Sequence, residues 1–234
     1  MSREKSEAFI YRIVKYSDSS AIAMAFSKDY GKLKLFVPKA YTKKGGIMAF
    51  MPGTLDFGKK QTDLHRYYAF EPDTTYYKFI NNHDIIMRLH LVFEILDGLF
   101  HTDILDDKLF DLLKKIDDTN FRKITPYIIY FMLKRSGVMF DTDSCVNCAS
   151  DEDLYTVTKD GIYCSVCSKD LSLSSCCDKE SSYIIKCFGH SQLYRNLTVT
   201  RKQEIQVLTA LCGYAEQILE KPLKSLKTVF EIIR

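Results

Sequence analysis

No apolar run in these 234 residues approaches the roughly 18 that a membrane-crossing helix needs. The opening stretch MSREKSEAF is polar and charged, without an apolar core segment, so no secretory signal is expected and the protein is read as cytoplasmic. Motifs that cradle nucleotides are missing: there is no GxxxxGK loop followed by Ser or Thr, and no GxGxxG after a strand. HExxH and GxSxG are absent as well. The histidines (His65, His83, His90, His101, His190) are scattered, and the acidic pairs Asp106-Asp107 and Asp117-Asp118 fall at helix boundaries, where capping accounts for them. Internal repeats and low-complexity tracts are lacking too. Nothing reads as catalytic, and the chain is taken not to be an enzyme.

What is present is a hydrophobic fraction of 46%, ample for a packed core, and an uneven distribution of charge. Residues 1–60 carry 12 Lys and Arg against 5 Asp and Glu, whereas residues 61–187 carry 14 against 21. The net charge of +3 hides that asymmetry. A basic front points to an acidic partner, nucleic acid above all.

Periodicity divides the chain. Up to about residue 80, period-two alternation predicts strands: Phe9, Tyr11 and Ile13 on one face; Ile22, Met24 and Phe26 alternating with alanines; Leu33, Leu35 and Val37 alternating with Lys32, Lys34 and Phe36. GTLDFGK and LHRYYAFEP supply two more. Five short strands at this spacing suggest a small barrel; an OB-fold fits, and an SH3-like barrel or a plain meander is compatible. From residue 85 the period becomes helical, through DIIMRLHLVFEILDGLFH, DDKLFDLLKKID and FRKITPYIIYFMLKRSG, with Pro126 expected in the first turn of the last. RKQEIQVLTALCGYAEQILEK and LKSLKTVFEII follow. The class is α+β: an N-terminal OB-fold barrel (1–80), then a helical domain (81–144 and 188–234) carrying an inserted four-cysteine zinc ribbon (145–187). Within the insert, the Ser- and charge-rich stretch 168–186 is expected to be an exposed connection.

The insert reads CVNCASDEDLYTVTKDGIYCSVC. Two C-x2-C pairs, fifteen residues apart, have the spacing of a four-thiolate zinc site formed by Cys145, Cys148, Cys164 and Cys167. A hairpin between them, turning at Asp160-Gly161, would bring two cysteine knuckles together. A redox dithiol or an Fe–S centre would use similar ligands, but zinc outweighs them on spacing. Four thiolates leave no open position, so Zn2+ would be structural. Cys212 is read as a core residue, and the adjacent Cys176-Cys177 pair as a competitor for metal of little weight beside the two C-x2-C pairs.

The order of parts resembles the bacterial recombination mediator RecO family. The resemblance rests on EAFIYRIVKYSDSSAIAMAFSKDYGKLKLFVPKAYTKKGG, on VFEILDGLFHTDILDDKLFDLLKKID, on RSGVMFDTDSCVNC before the insert, and on the terminal KPLKSLKTVFEII. At SDSSAI the sequence departs from the acidic residue the family often has after the first strand. The resemblance implies a non-catalytic DNA repair and homologous recombination mediator, associated with the nucleoid. It would bind single- and double-stranded DNA, anneal complementary strands and contact the C-terminal tail of single-strand-binding protein. With RecR, it would help RecA load onto coated strands.

On the residues themselves, the expected DNA contacts are Lys32, Lys34 and Phe36 on one strand face, Lys39, Tyr41, Lys43 and Lys44 in the loop beyond it, and Arg12 and Lys15 nearby. A lysine-lined strand is also what any solvated face looks like. For an acidic, hydrophobic-ended tail the candidates are Arg122, Lys123, Tyr127, Lys134 and Arg135. Two rival readings stay open: a zinc-ribbon protein–protein adaptor without direct DNA binding, and a zinc-dependent nuclease or deaminase. The latter lacks the H-x-E…P-C-x-x-C pattern.

Overall fold

The computed structural model of the protein describes residues 2–41, 47–79, 81–100 and 105–233, so Lys43 and Lys44 lie outside the described residues. Two compact units are present. The first comprises Met1–Phe93 and Phe100–Lys115, the second Glu94–Leu99 and Ile116–Arg234.

In the first unit, β1 (Ser2–Lys15), β2 (Ala21–Ser27), β3 (Gly31–Val37), β4 (Met51–Lys59) and β5 (Leu64–Pro72) close into a barrel of order β1-β2-β3-β5-β4. All neighbours are antiparallel except β3 and β5, which run parallel. This is the OB-fold topology. Its interior is filled by Ala8, Ile10, Ala21, Ala23, Ala25, Leu33, Leu35, Val37, Leu55 and Phe57. The alanines of β2 point inward, because a five-stranded barrel is too narrow for large side chains from every strand. Ile22 and Met24 therefore face outward.

Strict alternation fails in β1. The register slips between Ile10 and Arg12, a bulge at Tyr11. Before it Phe9 faces out and Ile10 in; after it Arg12 and Val14 face out, while Ile13 packs against the core. The expectation that Phe9, Tyr11 and Ile13 share a face is thus corrected by one extra residue, which flips every later side chain.

One end of the outer barrel face is covered. The unit also holds a 3-10 turn (Thr74–Phe79), the first part of α1 (His83–Leu99) and α2 (Asp107–Lys114), whose first turn is capped by the Asp106 side chain accepting from Leu109 N at 3.0 Å. Phe110 of α2 meets Phe9 at 5.5 Å and Phe26 at 6.1 Å, and Phe93 of α1 stacks on Tyr11 at 4.6 Å. That aromatic cluster fixes which part of the sheet stays open.

The second unit is built around α3 (Phe121–Arg135) and α7 (Arg201–Leu219), with α8 (Lys224–Ile233) at the end. Ile128, Ile129, Met132 and Leu133 of α3 and Val207, Leu208, Leu211 and Ala215 of α7 are buried. Pro126 falls in the second turn of α3, not the first, because the helix begins at Phe121. Burial of Phe121 and Ile124 offsets the backbone hydrogen bond that a proline cannot donate. A capping box at Thr200 and Gln203 opens α7. The main-chain N–H groups of Lys224 and Ser225 donate to the Glu94 carboxylate at 3.0 and 2.9 Å, holding the start of α8.

Between these helices lie β6 (Leu154–Thr158) and β7 (Gly161–Cys164), then α4 (Ser165–Asp170), α5 (Lys179–Cys187) and α6 (Ser191–Arg195). The stretch 168–186 is not a loose connection. Ser175 and Cys176 hydrogen-bond both backbone groups of Val157, and Ser182 Oγ donates to Tyr155 O at 2.8 Å, so the outer edge of β6 is sealed. Small polar side chains are what such an edge requires, and that is why the segment reads as loop-like in sequence. No helix among the described residues is long and apolar enough to cross a membrane.

Candidate nucleic-acid face and four-cysteine centre

Two cross-strand rows define the open part of the barrel face. Arg12, Met24, Lys34 and Leu64 are successive partners across β1, β2, β3 and β5. Val14, Ile22, Phe36 and Arg66 form the next row. Directly opposed residues of neighbouring strands point to the same side, so all eight share one surface. Arg12, Lys34 and Arg66 are exposed and make no ion pair among the described residues. Between them sit Val14, 44% exposed, and the half-buried Ile22, Met24, Phe36 and Leu64. Tyr16, 67% exposed, packs edge-on against Phe36 at 5.7 Å, and the Arg66 guanidinium lies 5.8 Å from the ring of Tyr68. The result is an apolar strip with aromatic edges, flanked by three cations.

The residues expected from sequence divide on this geometry. Arg12, Lys34 and Phe36 are in the open face. Lys32 is in the next row, opposite Phe26, where the helices cover the sheet. Its ammonium donates to Phe100 O at 2.8 Å, just past the end of α1, so it serves as a helix-end clamp and is taken out of the open face. Lys15 is exposed and pairs with Asp18 at 3.1 Å. Lys39 and Tyr41 are exposed beyond β3, Lys39 in the left-handed region at φ 56°. Arg66, Tyr68 and Tyr16 were missed. The first two alternate in LHRYYAFEP with the period that marks the strand, but only the parallel β3–β5 pairing sets Arg66 beside Phe36.

In the second unit the four Sγ atoms of Cys145, Cys148, Cys164 and Cys167 lie within 4.8 Å of one another. Cys148 and Cys164 are 3.7 Å apart. Zn–S bonds of ~2.3 Å in a tetrahedron imply an S–S edge of about 3.8 Å. The donor set therefore fits zinc. Hydrogen bonds to sulfur complete the site: Cys164 N to Cys145 at 3.3 Å, Cys167 N to Cys164 at 3.4 Å and Asn147 Nδ2 to Cys167 at 3.3 Å. Such donors stabilise thiolates and orient them. Burial alone would raise the Cys145 thiol, but N–H donors from Cys164, Cys148 and Asn147 bring it down to about 6. For Cys167 the Asn147 amide pulls downward, yet the neighbouring Cys148 and Cys164 sulfurs push it up to about 12. Four adjacent thiols cannot all ionise without a cation among them.

The two CxxC pairs are not alike. The first is a turn closed by Ala149 N to Cys145 O at 2.9 Å, with Ala149 at φ 58°. The second spans the end of β7 and the first turn of α4, where Cys164 is the N-cap. The hairpin joining them turns at Lys159-Asp160, one residue earlier than expected. Gly161 opens β7 at φ 137°, where a Cβ would fall 2.4 Å from Val146 Cγ2. Gln217 Nε2 donates to Asp160 Oδ1 at 2.9 Å, bracing the hairpin on α7. Cys176 and Cys177 are bonded elsewhere, to Val157 O and Gln206 O. Cys212 is fully buried, which pushes its thiol up.

On α3, helical spacing aligns Lys123, Tyr127, Tyr130 and Lys134. Tyr127 stacks on Tyr194 at 4.3 Å and meets Phe188 at 5.7 Å. Lys123 lies over Tyr194 and donates to Arg195 O at 2.7 Å, and Lys134 reaches Tyr130 Oη at 3.4 Å. Arg122 is directed to Phe121 instead, 4.9 Å from its ring, and Arg135 is exposed at the far end of the helix. Phe188 and Tyr194 were not foreseen, since α5 and α6 bring them in from sixty residues away.

The family model described as Recombination protein O C terminal matches residues 90–227, which span the helices and the four cysteines and leave the barrel outside. DNA repair protein RecO of Francisella tularensis subsp. novicida (strain U112) is 24% identical over 135 residues, 55% of this chain. The matched stretch spans 58% of the length of that relative.

Proposed function

The chain belongs to the recombination protein O family, and from that premise we propose that it is a non-catalytic DNA repair and homologous recombination mediator. It binds single- and double-stranded DNA and anneals complementary strands. The observation that carries this reading is the open barrel face, where Arg12, Lys34 and Arg66 surround an apolar, aromatic-edged strip. Guanidinium and ammonium groups neutralise phosphates without regard to sequence. Phe36, Tyr16 and Tyr68 offer surfaces on which bases stack, at ~1–3 kcal/mol each. Annealing needs no more chemistry than this: charge to suppress strand repulsion, and stacking weak enough to release bases to their complements.

Cys145, Cys148, Cys164 and Cys167 hold Zn2+, which supplies a cross-link between the two ends of a hairpin too small to fold unaided. The acidic, hydrophobic-ended tail of single-strand-binding protein is taken by the exposed cations of α3, Arg122, Lys134 and Arg135, beside the half-buried Tyr127, while the Lys123 ammonium is held by Arg195 O. With RecR, the protein then helps RecA load onto coated strands in the cytoplasm, at the nucleoid. The test is annealing and oligonucleotide binding by the intact chain, compared with a Lys34→Glu/Arg66→Glu variant. Wild-type annealing by that variant would remove the barrel face from the mechanism. Weak binding insensitive to salt in the unaltered chain would favour the adaptor reading.

A further inference from the structure

A groove of about 560 Å³ lies in the second unit and is used by none of the roles above. Tyr155 of β6 and Tyr183 of α5 line it, over a floor that includes Ile184 and Leu197. The two tyrosines are 39% and 50% exposed, whereas Ile184 is 3% exposed. Large aromatic side chains left open above an apolar floor leave surface unburied that folding would otherwise cover. Their backbone is nonetheless fixed. Ser182, the neighbour of Tyr183, donates to the main-chain oxygen of Tyr155 at 2.8 Å.

The charges define the ligand. The lining holds one cation and one carboxylate, Lys179 and Glu180. Glu180 accepts from Gln203 Nε2 at 3.0 Å, which leaves a polar, hydrogen-bonding rim. The Lys179 ammonium lies 4.3 Å from the centroid of the Tyr155 ring. Two exposed phenol rings, one cation and a hydrogen-bonding rim match a flat, uncharged ring with polar edges that carries a phosphate beside it. Helical spacing also puts Lys186 on the Tyr183 face of α5, one turn beyond it, while Lys179 lies one turn before. The Lys179 ammonium, beside the Tyr155 ring, is the cation the groove offers to a phosphate next to such a ring.

We propose that this groove is a second single-strand contact, in which an unpaired nucleobase stacks on Tyr155 and Tyr183. The inference rests on the single-strand reading of the barrel face and adds a base-binding site in the other unit. A protein that pairs two strands gains from holding bases at two places.

The 234 residues contain no tryptophan, so Tyr183→Trp in the intact chain introduces a unique fluorophore at the groove. The probes are a thymidine oligomer of about 12 nucleotides, within the usual range for one such site, and an abasic oligomer of equal length. Anisotropy of labelled oligomers reports binding; tryptophan emission reports stacking. The expected result is quenching by the thymidine oligomer and none by the abasic one, although both bind. Tyr155→Ala should weaken thymidine-oligomer binding about fivefold or more, the equivalent of one lost stacking contact, with the salt dependence unchanged. An oligomer that binds and leaves the emission untouched overturns this inference alone. One that does not bind at all overturns the barrel reading with it. Quenching by an acidic peptide ending in phenylalanine, and not by the oligomer, would make the groove a peptide site and refute the proposal.

Discussion

Neutralising Lys34 and Arg66 together, as Lys34→Gln/Arg66→Gln, tests the electrostatics of the barrel face quantitatively. Each phosphate that a cation neutralises on a single strand contributes ~0.7 to the slope of log K against log salt. Arg12, Lys34 and Arg66 are the exposed cations of the open face, so they supply a slope of about 2.1, of which the double variant keeps about 0.7. Raising salt from about 50 to 200 mM should then weaken binding by the unaltered chain roughly 7-fold more than binding by the variant. Fluorescence anisotropy with a labelled oligonucleotide at four or five salt concentrations gives both slopes. Lys32→Gln is the internal control. Its ammonium is spent on Phe100 O at 2.8 Å, so this variant should keep the full slope while losing about 1 kcal/mol of stability. Equal slopes for the unaltered chain and the double variant, or a slope change as large in the Lys32 variant, would refute the assignment.

Removing the metal with a chelator, or substituting Cys164→Ser, should lower the unfolding transition of the second unit while sparing salt-dependent DNA binding. The expected loss is about 3 kcal/mol or more, below the ~10 kcal/mol of isolated zinc-finger peptides because α7 also braces the hairpin. Thiol titration and thermal melts followed by circular dichroism report it, and a stable variant with no DNA binding left would contradict the separation of roles. Gly161→Ala should cost about 2 kcal/mol or more, since its φ of 137° disfavours any side chain and Val146 Cγ2 occupies the place of the new methyl; a chemical melt with unchanged midpoint would refute this. The Asp178 carboxyl is held down to about 2 from 3.8, chiefly by its hydrogen bond from Lys202 and then by Ser181 N at the start of α5. A carboxyl depressed on folding stabilises fully above pH 3.8, and that stabilisation is lost as pH falls from 3.8 to about 2. Asp178→Asn should therefore lower stability at neutral pH and flatten that acid limb, and parallel acid melts would exclude the effect.

The primary structure determined the class of the five barrel strands and of α1, α2, α3, α7 and α8, and it picked out the four cysteines that the fold brings together, whereas α5 read as a connection. Alternation over 31–37 and helical spacing over 121–135 leave little freedom, because a solvated face and a buried face impose different periods on strand and helix. The CxxC spacing required only that a short hairpin close, and it does. Tertiary structure alone decided which cations are available. The bulge at Tyr11 turned Arg12 outward, the parallel β3–β5 pairing brought Arg66 beside Phe36, and the packing of Phe93 and Phe110 covered the end of the face where Lys32 lies. It likewise brought Phe188 and Tyr194 to Tyr127, and Tyr155 to the α5 groove. Periodicity is a property of neighbours along the chain. A binding surface belongs to neighbours across strands and helices, whose identity is fixed only when register and packing close.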